Sequence, residues 1–424
     1  MAKSFPEKNR FYPLVYVIVA AIPGMPAESL VSQAKVKPGI EVLRDRGFAL
    51  LKGKRVGLIT NPTGITSTFQ QTVDVLAAAP GVQLVALFGP EHGVRGDREA
   101  GKYIESYVDE RTRLPVYSLY GRTRKPTPEM LRGIDVLVYD IQDIGVRSYT
   151  YISTMGYAME AAAENNIAFV VLDRPNPLTG LRVEGAVLDT AFRSFVGMYP
   201  IPYVYGMTVG ELAQMINGEG WLNGGRRCSL TVVPMEGWSR NQWWNDTGLP
   251  WVPPSPHIPN EETPMFYVMT GLLGELGTAN QGVGYTLPFQ LVGAPWIDGQ
   301  QLARYLNAQG LQGVYFRPMT YKPFYFDTTG QTYRGVQIHI TDRDRIDLGG
   351  VQISILEALC RLVPGRTIFD RARPERVQMF DKVMGSDGAR KMLVTNGNGD
   401  DLLRKSERDR AAFIPRRQPY LLYR

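Results

Sequence analysis

Residues 135–140 read Asp-Val-Leu-Val-Tyr-Asp, and the polar segment Ile141-Gln-Asp-Ile-Gly-Val-Arg147 follows directly. Four similar apolar runs occur in the same half of the chain, at residues 55–60, 82–88, 114–119 and 168–173. Nearly continuous apolar runs are typical of strands that are buried on both faces of a parallel sheet, and the segments between them have helical periodicity. We therefore expect an α/β fold in which a Rossmann-like, doubly wound and mostly parallel sheet occupies residues 36–220.

Helix-start signals support this division. Thr127-Pro128-Glu129 places a capping residue and a proline before an apolar segment, and Thr208 with Glu211 forms a capping box. After a stretch rich in Trp, Gly and Pro, the chain has strand-like runs at 290–292, 314–316 and 336–340 and amphipathic helices at 300–308 and 352–362. These features predict a smaller mixed α/β domain at residues 221–424, which closes a cleft against the first domain.

The first 34 residues differ from the rest of the chain. Basic residues precede an apolar stretch at 11–22, and small residues follow it. This order is typical of a secretory signal peptide, and the stretch is shorter than the roughly 20 residues that a membrane-spanning helix needs. We therefore expect export to the periplasm or the cell exterior, with an uncleaved N-terminal anchor as the alternative.

Composition and motifs argue against several classes of function. The net charge of +6 is mild for 424 residues, and no Lys/Arg run is interleaved with aromatic residues as nucleic-acid binding would require. The sequence has no glycine-rich phosphate loop, and its three histidines are too dispersed for a zinc site. We expect no metal, no cofactor and no nucleic-acid partner, and we favour free thiols over a disulfide for Cys228 and Cys360.

Polar residues and glycines collect directly after each predicted strand. The five loops are residues 60–64, 89–97, 120–122, 140–151 and 173–180, and Glu184 follows the last of them. Because the carboxyl ends of parallel strands meet at one edge of a sheet, we expect these loops to form one ligand crevice. Turn chemistry explains any single loop equally well, and Asp173-Arg174 is also readable as a structural ion pair. Five such loops together favour a site.

Carboxyl groups in these loops point to hydrolysis of a glycosidic bond, which usually needs two of them, one held protonated. Glu91 is the best candidate acid, because Pro90 and Gly93 bracket it at a strand end where burial can raise a carboxyl pKa. The second carboxyl group is open among three candidates, Glu184, Asp143 and Glu160. Glu160 is equally well explained as a polar residue on a helix face.

Other side chains in the loops are suited to holding a sugar derivative. Arg147 and Arg174 suit a bidentate grip on a carboxylate. Further candidate substrate ligands are Asn61, His92, Arg95, Asp143, Tyr149 and Asn176. Tryptophan rings also offer flat faces to sugars, although we favour packing as the role of Trp243 and Trp244.

A series of motifs resembles one known family. They are Gly-Pro-Glu-His-Gly (89–93), Asp-Ile-Gln-Asp-Ile-Gly-x-Arg (140–147), Asp-Arg-Pro-Asn-Pro (173–177), Gly-Met-Thr-x-Gly-Glu-Leu-Ala (206–213) and Pro-Phe-Gln-Leu-Val-Gly-Ala-Pro-Trp (288–296). Nearly the whole chain after residue 39 is similar to the NamZ family of exo-β-N-acetylmuramidases. The resemblance implies release of terminal N-acetylmuramic acid from the non-reducing ends of peptidoglycan fragments, with Glu91 as the catalytic glutamate. Arg147 and Arg174 would then hold the lactyl carboxylate of muramic acid.

Three motifs depart from the family pattern. Many relatives read Ser-Glu-Gly-Arg-Gly where this chain has Gln281 and Val283 within Asn-Gln-Gly-Val-Gly. Tyr205 occupies a position that is commonly histidine, and His257 one that is usually asparagine. These departures keep a second hypothesis open, a non-catalytic protein of the same fold that binds muropeptides or sugars. A hydrolase of esters or amides is a third, but no nucleophile for it stands out.

Overall fold

A large sheet contains the five strands that the apolar runs predict. In this computed structural model, which describes residues 36–91, 93–96, 106–325, 330–362, 367–396 and 399–424, the sheet has seven strands. They are β1 (Arg55–Thr60), β2 (Gln83–Gly89), β3 (Tyr107–Val108), β4 (Pro115–Ser118), β5 (Val136–Asp140), β6 (Ala168–Leu172) and β7 (Leu230–Val233). Their order is β3-β4-β2-β1-β5-β6-β7, and all neighbours are parallel except β3 and β4. Counted alone, the parallel strands follow the order 3-2-1-4-5-6 of the doubly wound dinucleotide-binding fold.

A smaller antiparallel sheet lies in the second half of the chain. Its strands are β8 (Leu291–Ala294), β9 (Val314–Tyr321) and β10 (Tyr333–Ile340), in the order β8-β10-β9. The helices of the described residues are α1 (Gly39–Asp45), α2 (Thr72–Ala77), α3 (Tyr151–Glu164), α4 (Val209–Gly218), α5 (Trp244–Thr247), α6 (Thr263–Leu276), α7 (Gly299–Asn307), α8 (Leu348–Arg361), α9 (Pro374–Met384), α10 (Gly388–Asn396) and α11 (Asp400–Arg417). Short 3₁₀ segments cover Thr190–Phe192, Asn223–Gly225 and Gln418–Tyr420. The prediction of a Rossmann-like domain with a smaller α/β partner is confirmed.

Alternation along the central strands explains why helices cover both faces of the large sheet. Leu137 and Tyr139 of β5 pack into a core with α3 and α4, whereas Val136 and Val138 pack with α1 and α2. All five residues of β5 are buried. A strand buried on both faces must be apolar throughout, which is the pattern that identified it in the sequence.

The two predicted helix starts have different outcomes. The capping box of α4 is confirmed, because the Thr208 hydroxyl accepts from the Glu211 N–H at 3.2 Å and the Glu211 carboxylate accepts from the Thr208 N–H at 3.0 Å. The prediction of a helix after Thr127 is wrong, since residues 128–133 form turns. Gly133, with φ at 77°, ends that segment before a second hydrogen-bonded turn can follow the costly first one.

The predicted domain boundary at residues 220/221 stays a prediction. Strand β7 lies beyond it and pairs with β6 in the large sheet. Cys228 and Cys360 are both free, as favoured. Among the described helices, none combines the length and apolar character needed to cross a bilayer. Residues 1–34, which carry the predicted signal peptide, lie outside the described residues.

Candidate active site

The strand order reverses between β1 and β5, and the crevice expected for a ligand lies beyond their carboxyl ends. The Thr60 hydroxyl donates to the carbonyl of Asp140 at 2.8 Å and so joins the two strand ends. The Asn61 carboxamide oxygen accepts from the Thr63 backbone N–H at 3.0 Å. The Asn61 side chain is buried and also hydrogen-bonds to Tyr151. Asn61 therefore joins the loop after β1 to the start of α3.

Glu91 lies in a tight turn directly after β2. The Gly93 N–H donates to the Pro90 carbonyl at 3.0 Å, and Gly93 has a φ of 74°, in the left-handed region that glycine adopts without strain. The Glu91 side chain is half-buried, and the Tyr120 side chain hydrogen-bonds to it. The turn thus presents a carboxyl group that is sheltered but not sealed from solvent.

Tyrosines from three separate elements surround Glu91. Burial is the main cause that raises the pKa of Tyr120, Tyr151 and Tyr267, and the negative charge of Glu91 raises each pKa further. Tyr120 follows β4, Tyr151 begins α3 and Tyr267 lies on α6. The three hydroxyl groups therefore stay protonated at neutral pH, and that of Tyr120 hydrogen-bonds to the carboxyl group.

Tyr149 links this group of side chains. Its ring meets those of Tyr151 and Tyr267 edge-on, with centroids 5.1 Å and 6.0 Å apart. The hydroxyl of Tyr151 donates to the Pro254 carbonyl at 2.5 Å. Ser148 Oγ lies 3.2 Å from the Tyr267 hydroxyl. The residues 148–151 that follow β5 are thereby tied to α6 and to the loop before it, so both halves of the chain contribute to the crevice.

Asp143 is a second carboxyl group close to the same tyrosines. Its Oδ2 accepts from the Gly145 N–H at 2.6 Å and from the Tyr205 hydroxyl, whereas its Oδ1 has no partner of normal geometry among the described residues. Burial raises the pKa of Asp143 to about 6, although these hydrogen bonds lower it. Its charge also contributes to the raised pKa of Tyr149 and Tyr151. Among the three candidate partners of Glu91, Asp143 is the one whose neighbours include those of Glu91.

The raised pKa of Asp143 predicts a stability change with pH. The folded pKa of about 6 exceeds the value of 3.8 that applies when the group is solvated, so this group stabilises the fold below about pH 4. That contribution is lost as the pH rises through about 6. Relative to Asp143→Asn, the free energy of unfolding of the wild type should fall by roughly 2 kcal/mol between about pH 4 and pH 7, measured by urea denaturation.

A control with the opposite shift accompanies this experiment. Arg55 holds the pKa of the exposed Asp135 at about 2, so Asp135→Asn should give only a small change of opposite sign over the same range. Asp173, whose pKa burial raises to about 7, remains in both proteins and cancels from the comparison. An identical pH dependence for the wild type and Asp143→Asn would contradict the assignment.

The other two candidate carboxyl groups have different surroundings. Glu184 pairs with Arg182 at 2.5 Å and accepts from the Gly349 N–H at the start of α8 at 2.9 Å. It lines a cavity of about 570 Å³ with Trp243 and residues of α11, and none of the tyrosines around Glu91 lines that cavity.

Glu160 accepts from the Asn223 N–H at 3.0 Å and lies 3.6 Å from the Lys125 ammonium. It is nine residues after the start of α3, or about 14 Å along the helix from the crevice. The alternative reading, a polar residue on a helix face, fits this position.

Arg147 is a buried structural link and not a free guanidinium in the crevice. Its nitrogens donate to four backbone carbonyls, those of Ala186, Ile201, Val383 and Met384, at 2.7–3.2 Å. Burial lowers the pKa of Arg147 to about 10. Its donors join the large-sheet region to the end of α9, which corrects the expectation that they grip a substrate carboxylate.

The guanidinium group of Arg174 is also bound to other groups of the protein. Its Nε donates to Asp140 Oδ1 at 2.5 Å and its terminal nitrogen to Asp140 Oδ2 at 3.0 Å, and both side chains are buried. The same nitrogen donates to the Ile65 carbonyl at 2.8 Å. The fork expected to hold a lactyl carboxylate therefore holds Asp140, so the structural ion pair is real but its acid is not Asp173.

Two further predicted substrate ligands already have partners within the protein, and a third lies outside the described residues. Arg95 donates to Asp109 at 3.0 Å and to Asp74 at 3.2 Å. Asn176 accepts from the Leu178 N–H and donates to the Met207 carbonyl, both at 2.9 Å. His92 lies outside the described residues.

The tryptophans pack as favoured. Trp244 is buried in a small core and meets Trp251 edge-on at 4.9 Å. The Trp243 indole N–H donates to Asp344 at 2.8 Å, and the guanidinium groups of Arg182 and Arg343 lie 5.4 Å and 5.0 Å from its ring. Trp243 lines the cavity that contains Glu184, and Trp244 lines a small pocket with Thr63 and Gln142.

Three side chains near Glu91 were not predicted from the sequence as site residues, namely Tyr120, Ser148 and Tyr267. Tyr120 follows a predicted strand and belongs to a loop that the sequence marks as polar, so its position was the available signal. Tyr267 lies within the apolar pattern of α6, which offers no such signal. In the described part of the chain, no group of three or more His, Cys, Asp or Glu side chains could hold a metal ion.

Comparison with known proteins identifies the family. A model described as "Exo-beta-N-acetylmuramidase NamZ, N-terminal" matches residues 56–262, and the corresponding C-terminal model matches residues 265–423. The chain belongs to the NamZ family. These enzymes are glycoside hydrolases, and the two NamZ models meet where α6 begins.

Individual relatives of the NamZ family agree with this assignment. A curated protein from Bacillus subtilis (strain 168), "Peptidoglycan beta-N-acetylmuramidase NamZ", is 44% identical over 389 residues, which are 92% of each chain. Two crystal structures of DUF1343 family proteins from Bacteroides fragilis NCTC 9343 are also similar. One is 51% identical with a TM-score of 0.88 and covers 93% of this chain and 100% of its own. The other is 32% identical with a TM-score of 0.75 and covers 92% and 99%.

Proposed function

We propose that this protein is an exo-acting glycoside hydrolase that removes N-acetylmuramic acid from the non-reducing ends of peptidoglycan fragments. The observation that carries the proposal is the position of Glu91, half-buried after β2 and bonded to Tyr120 in a crevice of the NamZ fold. The name of the Bacillus subtilis relative, a peptidoglycan β-N-acetylmuramidase, supports the substrate class.

In the proposed reaction Glu91 donates a proton to the oxygen of the scissile glycosidic bond. The bond between that oxygen and the anomeric carbon breaks, and positive charge develops on the sugar ring. Water then supplies the hydroxyl group of the released sugar, and the proton that it loses restores the Glu91 carboxyl group. Asp143 lies near Tyr149 and Tyr151 and contributes negative charge that stabilises this transition state. Tyr120, which hydrogen-bonds to Glu91, holds that carboxyl group in place.

Mass spectrometry of digested peptidoglycan fragments tests the proposal. Fragments that carry N-acetylmuramic acid at the non-reducing end should yield the free sugar and a chain shortened by that residue. Binding without any new product would instead support the sugar-binding alternative. Loss of a peptide or an acyl group from an intact glycan would indicate amide or ester hydrolysis.

We also propose that the protein acts outside the cytoplasm. The order of basic, apolar and small residues within positions 1–34 supports export, and peptidoglycan lies outside the inner membrane. Sequencing the amino end of the protein recovered from the producing cells tests this, because export with cleavage predicts a start close to residue 35.

A further inference from the structure

An arginine lies beside the side chains that surround Glu91. The guanidinium carbon of Arg124 is 4.0 Å from the centre of the Phe195 ring, and its charge acts on Tyr120, the partner of Glu91. Phe195 is itself fixed, because its ring stacks on Tyr157 of α3 at 6.1 Å and 9° and lies 6.5 Å from Tyr120. A shelf of three aromatic rings, Tyr120, Phe195 and Tyr157, thus supports a cation next to the crevice.

Arg124 has no ion pair among the described residues. Its neighbour Lys125 is different, because it pairs with Glu164 at 2.7 Å and lies 3.6 Å from Glu160. The side chain of Arg124 is exposed. A cation–π contact uses the flat face of a guanidinium and leaves the N–H groups at its edge available. Arg124 therefore offers an oriented donor fork and an uncompensated positive charge.

The proposed substrate requires such a group. Muramic acid differs from glucosamine by a lactyl ether that carries a carboxylate, and recognition of that carboxylate favours an arginine fork. The two arginines expected for this role from the sequence already have other partners. Arg147 donates to four backbone carbonyls, and Arg174 forms an ion pair with Asp140. Arg124 differs from both, because its charge acts on Tyr120, the partner of Glu91.

We infer that Arg124, oriented by Phe195, binds the lactyl carboxylate and so determines the preference for muramic acid over sugars without that charge. This inference rests on the proposed function. The rings of Tyr120, Phe195 and Tyr157 then hold the Arg124 guanidinium at a fixed distance from Glu91.

Two chromogenic substrates test the inference, an aryl β-N-acetylmuramide and the same compound with its lactyl carboxyl group converted to the primary amide. The wild type should show kcat/KM roughly 10-fold to 100-fold higher for the acid, the range expected for a hydrogen bond to a charged group. Arg124→Met should bring that ratio close to one. Arg124→Lys should give an intermediate ratio, because a lysine keeps the charge but loses the fork.

Arg371→Met provides a matched control. Arg371 is also exposed and lies over an aromatic ring, that of Trp296 at 4.7 Å, and it lines a cavity that includes none of the tyrosines around Glu91. This variant should keep the wild-type ratio. A wild-type ratio near one, or an Arg124→Met ratio equal to that of the wild type, would overturn the inference while leaving the proposed function intact. If the wild type hydrolyses neither compound, the proposed function itself fails and the inference fails with it.

Discussion

Glu91→Gln is expected to lower kcat on an aryl β-N-acetylmuramide by roughly 100-fold to 10,000-fold, the usual contribution of a general acid. Glutamine has nearly the same shape and keeps a hydrogen-bond partner for Tyr120, so the turn between Pro90 and Gly93 should fold as before. What it lacks is the acidic proton. Steady-state kinetics with a poorly activated leaving group measures the loss.

A second leaving group separates the acid role from a purely structural one. A dinitrophenyl muramide leaves without protonation, so the deficit of Glu91→Gln should shrink markedly on that substrate. Glu184→Gln is the matched control, since Glu184 pairs with Arg182 and contacts α8, and it should retain activity within about 10-fold. Equal losses for Glu91→Gln and Glu184→Gln would contradict the assignment of Glu91.

Arg174→Met is expected to destabilise the protein by about 3–5 kcal/mol, because it leaves the buried carboxylate of Asp140 without its partner. Asp140 is fully buried, and Thr72 is its other side-chain donor at 2.5 Å. Urea denaturation of the purified variant measures the loss. The double variant Arg174→Met/Asp140→Asn should recover part of the lost stability, since the second substitution removes the unpaired negative charge of Asp140.

An exposed ion pair gives the comparison for this prediction. Arg55 and Asp135 are 2.9 Å apart, but their side chains are 51% and 40% exposed, so Arg55→Met should change the free energy of unfolding far less than Arg174→Met. If Arg174→Met were as mild as Arg55→Met and instead raised KM for muramides carrying the lactyl acid, Arg174 would be a substrate ligand after all.

The strands of the large sheet were predictable because both of their faces are buried. A strand such as β5, covered by α3 and α4 on one face and by α1 and α2 on the other, has no polar face to interrupt its apolar run. The position of Glu91 followed from the same reasoning, since parallel strands place their following loops at one edge. The helix after Thr127 failed because its capping signals are local, whereas Gly133 ends the segment a few residues later.

The roles of the arginines were not predictable, for a different reason. Arg147 reaches the carbonyls of Val383 and Met384, more than 230 residues away in the sequence. A guanidinium that binds a substrate carboxylate and one that binds backbone carbonyls have the same sequence signature, because the partner is set by tertiary packing. Arg124 shows the converse, since only the position of the Phe195 ring distinguishes it from any exposed arginine.

The central claim is tested most directly by the time course of digestion of a defined peptidoglycan chain that ends in N-acetylmuramic acid, followed by mass spectrometry. The wild type should release free N-acetylmuramic acid first and only from the non-reducing end, and Glu91→Gln should leave the chain intact over the same period. Fragments cut at internal bonds, or release by Glu91→Gln at the wild-type rate, would contradict an exo-acting muramidase centred on Glu91.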